Sequence, residues 1–353
     1  MLHSVAPAPD RKADHLRIAA EPGVGHTAGT GLAAVRLRHR ALPGRDLADV
    51  ELRTAFLGRV LEAPLFVSAM TGGTAEAELV NARLARAAAE HGIALTLGSG
   101  RPLLDDPDLL GTYRSAARPP LLLANLGVAQ LRADAAARLV DLLGADGLSV
   151  HLNPVQEAVQ PEGTPAFADA AERIAAAVAA LHPLPVVVKE VGFGMDPEDV
   201  ALLRDAGVAA VDVAGAGGTN WATIEGRRDS RAADVAAAFA DWGVPTVEAL
   251  RGAVAEAPDL PVIASGGIRD GVQAAKVLAL GASAAGLARP FLLAAQADRA
   301  GEAVAAVVRQ LRIATWAAGA GSTADLGEEH ISPRSRAELG DRRPASDDAL
   351  SAP

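Results

Sequence analysis

The 353-residue chain contains no cysteine. That excludes a disulfide scaffold, thiolate metal sites and any cysteine nucleophile. Aromatic residues make up only 3% of it, too few for the base-stacking platforms of a nucleic-acid reader. Trp221, Trp242 and Trp316 read as core or interface anchors instead. Basic residues are outnumbered, 33 Lys and Arg against 43 Asp and Glu, for a net charge of −10. A surface of that sign does not neutralise phosphate backbones, so no nucleic-acid partner is expected. No apolar run approaches the ~20 residues of a membrane span. Asp10, Arg11, Lys12 and Asp14 stand where a signal peptide needs an apolar stretch. The expectation is a cytoplasmic protein with no membrane partner.

What is present is 50% apolar residues and 35 glycines, enough to bury a substantial core. Eight short β-like runs begin near residue 64: 64–70, 94–99, 121–126, 147–153, 186–191, 209–214, 261–266 and 284–288. Between them lie alanine-rich segments of helical period, among them 81–92, 130–143, 167–181 and 270–280. Strand and helix in repeated alternation mean parallel pairing. Eight units over roughly 250 residues predict an α/β fold of the closed (β/α)8 TIM-barrel type with an N-terminal extension. An open doubly wound sheet needs a Gly-x-Gly-x-x-Gly turn after its first strand, and Met70-Thr71-Gly72-Gly73-Thr74 is not one. The expected organisation is an extension over 1–60, the barrel over 61–326 and a polar, disordered tail over 327–353.

Barrel chemistry comes from the C-terminal ends of strands and the loops that follow. Lysine and asparagine are rare here, and Asn125, Asn153 and Lys189 fall at such ends, as do Ser99, His151, Thr219, Met70-Thr71 and Gly266-Gly267. Any one of them is only a polar strand end; together they mark one rim. The segments 264–271 and 286–290 follow the seventh and eighth runs, where glycine turns and a starting helix present backbone N–H groups to phosphate. Lys189 follows three valines, so its ammonium contacts an anion or an electron-rich ring, or forms a Schiff base. An ion pair with Glu190 is disfavoured, because strand alternation points the two side chains apart. His151 and Asn153 share a strand face, and Gln156 and Glu157 follow in the next turn. A lone carboxylate beside a phosphate suits Mg2+, which keeps waters and takes substrate oxygens. Arg11, Lys12 and His15 lie far upstream and on their own read as a solvated charged stretch.

These residues resemble the type 2, FMN-dependent isopentenyl-diphosphate delta-isomerase family. The resemblance runs through Arg11-Lys12-x-x-His15, 69–73, Gly98-Ser99, 124–127, His151-Leu152-Asn153-Pro154-Val155-Gln156-Glu157, 161–163, 189–192, 217–219, 266–269 and Ala288. It covers nearly the whole barrel and the upstream arm. It implies that FMN is held by Ala69, Met70, Thr71, Ser99, Asn125, Lys189, Thr219, Gly266, Gly267, Arg269, Ala288 and Arg289. Arg11, Lys12 and His15 would then bind the substrate diphosphate, with Gln156 also touching substrate. His151, Asn153 and Gln156 would surround the reacting carbons, and Glu157 would hold Mg2+. The implied reaction interconverts isopentenyl and dimethylallyl diphosphate, with NADPH as flavin reductant and a homo-oligomer, tetramer or octamer, as the assembly.

Three positions depart from the family pattern. Ala214 stands where a serine often contacts the flavin, Gly100 where glutamine often follows Ser99, and Thr164 where aspartate often follows Pro161-Glu162-Gly163. Two other readings use the same barrel: an FMN-dependent hydroxy-acid oxidase or dehydrogenase, and a non-catalytic flavin-binding barrel. A related nucleotide dehydrogenase that works through a cysteine thioester is excluded by composition.

Overall fold

Each apolar run forms a strand: β1 (Leu65–Val67), β2 (Ala94–Thr96), β3 (Leu122–Gly127), β4 (Gly147–Leu152), β5 (Val186–Glu190), β6 (Ala210–Asp212), β7 (Val262–Ala264) and β8 (Ala284–Leu287). In the computed structural model, which describes residues 8–340 with side chains from Arg11 onward, every neighbouring pair is parallel and β8 closes on β1. The predicted (β/α)8 barrel is therefore the fold. Alternation decides which side chains fill it. Val187 packs inside with Phe66, Leu123, Ala210 and Ile263, whereas Val186 and Val188 join the layer between sheet and helices. Lys189 shares the inward parity of Val187, so its ammonium reaches the mouth.

The helices start and stop where local chemistry says they should. Thr74 caps Ala75–Glu90 by accepting from Ala77 N at 3.1 Å, and Asp270 caps Gly271–Ala279 by accepting from Gln273 N at 2.8 Å. The first of these begins six residues ahead of the predicted 81–92, because its opening turn carries Glu76 and Glu78 and hides the apolar period.

The extension does two things its composition did not reveal. A two-stranded hairpin, Thr54–Phe56 with Arg59–Leu61, inserts Phe56 and Leu61 into the inner core. The Phe56 ring meets Phe66 edge-on at 5.4 Å, and Arg59 pairs with Asp146 at 2.6 Å just before β4. The hairpin thereby covers the N-terminal end of the barrel, opposite the mouth that holds a large cavity. Upstream, helix α1 (Ala8–Ala20) lies over that mouth. It packs against α3 (Trp221–Arg228) and α4 (Arg289–Gln296), burying Ile18 with Val24 and Ile224. A third short helix, α2 (Pro154–Val159), follows β4.

The expected tail is a correction. Past Gly327 the chain forms a turn at Glu328–His330 and a helix at Pro333–Gly340. Ser335 is buried, donating to Ala34 O at 2.7 Å and accepting from Arg36 N at 3.1 Å, so the extension anchors it. Residues 1–7 and 341–353, parts of the predicted extension and tail, lie outside the described residues. None of the described helices is long and apolar enough to cross a membrane.

Candidate active site

The C-terminal mouth encloses a cavity of about 860 Å³, and every candidate catalytic, substrate, cofactor and metal residue named from the sequence lines it. Arg11, Lys12 and His15 descend from α1. Ala69, Met70, Thr71, Ser99, Asn125, His151, Asn153, Gln156, Glu157, Lys189 and Thr219 come from strands one to six and the loops beyond them. Gly266, Gly267, Arg269, Ala288 and Arg289 close the ring.

Adjacent strand ends form a connected polar belt. His151 lies level with Lys189, and Lys189 with Asp212. His151 Nδ1 is 2.7 Å from Asn125 Oδ1. Burial, reinforced by the charges of Lys189 and Lys12, pushes His151 down to about 3, so the ring is neutral. A neutral ring donating from Nδ1 keeps Nε2 as an acceptor. Gly127 makes room for it, since a Cβ there would sit 2.9 Å from His151 Nε2. Burial raises the Asp212 carboxyl, which accepts from Ser265 Oγ at 2.6 Å and Ala214 N at 3.2 Å. Lys189 Nζ bonds the backbone carbonyl of Glu190, and no carboxylate among the described residues pairs with it. The Glu190 carboxylate points away from the mouth. Its Oε2 accepts from Val191, Gly192 and Phe193 N at 2.6, 2.6 and 2.5 Å and so fixes the turn after β5. Burial still pushes that carboxyl up to about 7.

A second network joins α1 to the barrel. Asn153 occupies the N-cap of α2 without capping it, and Pro154 leaves no N–H to satisfy at the next position. Freed from that task, Asn153 Nδ2 donates to Gln156 Oε1 at 3.0 Å and Glu157 Oε1 at 3.2 Å. Gln156 Nε2 donates to Glu225 Oε1 at 2.9 Å, and His15 Nε2 lies 2.8 Å from the same oxygen. Glu225 Oε2 accepts from Arg228 Nε at 2.7 Å, while Arg228 Nη2 reaches Glu162 at 2.7 Å. Burial alone would raise Glu225, but the close approach of His15 and hydrogen bonds from Gln156 and Arg228 outweigh it and hold the carboxyl down to about 2. Burial pushes His15 down, so a neutral imidazole faces an ionised carboxylate.

Lys12 sits beside Arg11 and Arg101; burial and those two cations bring its ammonium down to about 8. Three cations crowded at one rim call for a polyanion. The glycine turn after β7 has Gly266 and Gly267 at φ +94 and +74, conformations that favour glycine. A Cβ on Gly266 would lie 2.1 Å from Gly215 O, so this turn packs against the Gly215 backbone too closely for any side chain.

Sequence reasoning missed Glu225 and Arg101. Glu225 is wholly buried and speaks to the cavity only through Gln156 and His15. Its one signal was position, four residues into the helix after the Thr219 loop. Arg101 follows Gly100, one of the three departures from the family pattern, and belongs to none of the matching motifs. Two departures now have a physical reading. Thr164 supplies its backbone N, 2.6 Å from Glu157 Oε2, so its side chain is immaterial to that contact. A Cβ on Gly100 would meet Leu139 Cδ1 at 2.5 Å, so local packing selects glycine.

Fold and mouth together define a (β/α)8 barrel with a cation-lined cavity at the C-terminal ends of its strands. The family model for FMN-dependent dehydrogenases matches residues 8–102 and 143–333. Isopentenyl-diphosphate delta-isomerase of Xanthobacter autotrophicus is 49% identical over 321 residues, 88% of this chain and 93% of that protein. The Stutzerimonas stutzeri protein of the same name is 46% identical over 335 residues, 91% and 96% of the two chains. Among solved structures, a flavocytochrome b2 with benzoylformate aligns with TM-score 0.66 at 18% identity, covering 100% of this chain and 95% of that one. A mandelate oxidase with (S)-2-phenylpropionate gives 0.61 at 24%, covering 91% and 97%. At those identities the likeness speaks for the fold alone. The chain belongs to the FMN-dependent dehydrogenase family and, within it, to the isopentenyl-diphosphate delta-isomerases.

Proposed function

We propose that the protein interconverts isopentenyl diphosphate and dimethylallyl diphosphate, with FMN at the barrel mouth. One observation carries the reading: the cationic arm residues Arg11 and Lys12 line the same cavity as Lys189 and Gln156. A diphosphate and a flavin therefore have their complements in one enclosure.

The residues fit both groups. Lys189 is a buried ammonium with only a carbonyl partner, suited to an electron-rich ring. Ser68 Oγ and Thr71 Oγ1 are buried without a partner beside the cavity, hydroxyls that a polar cofactor edge would satisfy. Ala69, Met70, Thr71, Ser99, Asn125, Lys189 and Thr219 would flank the flavin. Gly266, Gly267, Arg269 and Ala288 would present backbone to its phosphate. For Mg2+, no cluster of three or more acidic or histidine ligands exists among the described residues. Glu157 alone fits the mode in which one carboxylate, substrate oxygens and water complete the shell. When bound and reduced by NADPH, the flavin would supply acid/base capacity that none of the described side chains offers to an unactivated alkene.

The protein's own residues bind, orient and exclude water. Isomerisation adds a proton at one carbon and removes one from another, so the substrate must be fixed at both ends. Arg11, Lys12 and His15 hold the diphosphate, with Arg101 beside them. Gln156 is locked at its carbonyl by Asn153 and at its amide by Glu225, which can only accept. It thus presents one face to the reacting end, next to neutral His151. A cytoplasmic homo-oligomer completes the reading, supported by the family resemblance.

The test is an anaerobic assay with FMN, NADPH, Mg2+ and isopentenyl diphosphate, run beside Gln156→Ala and Glu157→Ala. The parent protein forms dimethylallyl diphosphate only after reduction, and both variants lose activity. Substrate-driven flavin bleaching with no isomer would instead assign a hydroxy-acid oxidase.

A further inference from the structure

Arg289 opens α4 directly after β8, where the sequence places a contact to the cofactor phosphate. Its guanidinium is turned elsewhere. Nε donates to Ala19 O at 2.9 Å, and Nη2 donates to Ala20 O at 3.0 Å and Glu21 O at 2.9 Å. These carbonyls belong to the last turn and exit of α1, which has no intrahelical donors left for them. A cation there also answers the negative end of the helix dipole. The planar fork commits its Nε–H and both Nη2–H groups to the three oxygens. Arg227 of α3 grips the following residues, donating to Pro22 O at 2.9 Å and Gly23 O at 2.7 Å. The exit of α1 is therefore pinned from two helices, while Arg11, Lys12 and His15 line the cavity.

We propose that Arg289 is a positioning residue for the substrate's diphosphate end: it clamps the C-terminal carbonyls of α1 so that the arm's cations stay over the mouth. Its side chain is then a ligand of the arm and not of the cofactor phosphate. This rests on the reading of the arm as the diphosphate site.

The experiment uses Arg289→Met and Arg289→Lys in the full chain, with three readouts: amide hydrogen exchange of residues 11–20, FMN affinity of the apoprotein, and steady-state kinetics. In Arg289→Met, exchange in α1 accelerates on the order of tenfold while the barrel strands keep their protection. FMN Kd stays within about twofold, and KM for isopentenyl diphosphate rises about tenfold with kcat within about threefold. Arg289→Lys, able to reach one carbonyl at a time, recovers part of both losses. Unchanged exchange in α1, or an FMN Kd weakened about tenfold or more, overturns the proposal. Absence of isomerisation by the parent protein would defeat the functional reading separately. Exchange, FMN Kd and the Kd of inorganic diphosphate would still decide the role of Arg289.

Discussion

Gln156 Nε2 donates to Glu225 Oε1 at 2.9 Å, tying the helix after β4 to the helix after β6 beneath the arm. Because a carboxylate only accepts, this single contact fixes which end of the Gln156 amide faces inward. His15 meets the same oxygen, so the arm and the reacting end of the cavity share one anchor.

Glu225→Gln breaks that logic, since an amide can present a donor to Gln156 and leave its orientation open. The expected loss in kcat is about a hundredfold, the scale of a misplaced proton-transfer environment. FMN affinity is unchanged, because Glu225 does not line the cavity. Parallel kinetics and flavin titration separate the two.

Activity is expected to show an alkaline limit set by Lys12. In the free enzyme its ammonium titrates at about 8, lowered by burial and by Arg11 and Arg101. Below that pH it is charged and binds diphosphate; above it the charge is lost and kcat/KM falls. Lys12→Arg stays protonated and removes this limb from the pH profile of kcat/KM.

Lys189→Met is expected to separate stability from cofactor binding. A buried ammonium paired only with a carbonyl is expensive in the apoprotein, and an apolar side chain of similar length removes that penalty. Apoprotein Tm holds or rises, while FMN Kd weakens by about tenfold or more with the lost charge. Calorimetry and flavin fluorescence read the two quantities.

Gly127→Ala places a Cβ 2.8 Å from Gln130 Oε1 and 2.9 Å from His151 Nε2. The ring must leave its contact with Asn125. Overpacking of this kind costs about 1–3 kcal/mol, and chemical denaturation should show it together with a drop in kcat.

Thr164 tests the hold on Glu157. Thr164→Ala keeps the backbone N–H and leaves the Mg2+ requirement unchanged, whereas Thr164→Pro removes it. A titration of rate against Mg2+ should shift about tenfold for the proline variant only, as expected when a residue supporting a metal ligand is lost.

Much of this was legible because period and position are local properties. The three valines before Lys189 announced a buried strand, and alternation set Lys189 and Glu190 on opposite sides of it; which side was inward came from the structure. The two-residue spacing of His151 and Asn153 put both on one strand face, and the structure keeps them in one cavity. The hairpin at 54–61 escaped notice because three-residue strands carry almost no period. The tail to Gly340 looked solvated because its helix is mostly polar and leans on buried Ser335. Arg11, Lys12 and His15 read as surface charge by themselves; resemblance alone suggested a binding role.

The sequence by itself determined the barrel, its strand count and the chemical types at its rim, since hydrophobic period and strand ends are written in consecutive residues. Tertiary structure alone decided the partnerships: His15 with Glu225, Arg228 with Glu162, and Arg289 with the carbonyls of α1. The physical reason is that a side chain's own residue type sets what it can bond, while chain closure sets what it meets. Arg289 follows a phosphate-loop pattern and yet caps a helix, because the free carbonyls of α1 lie within reach of its fork.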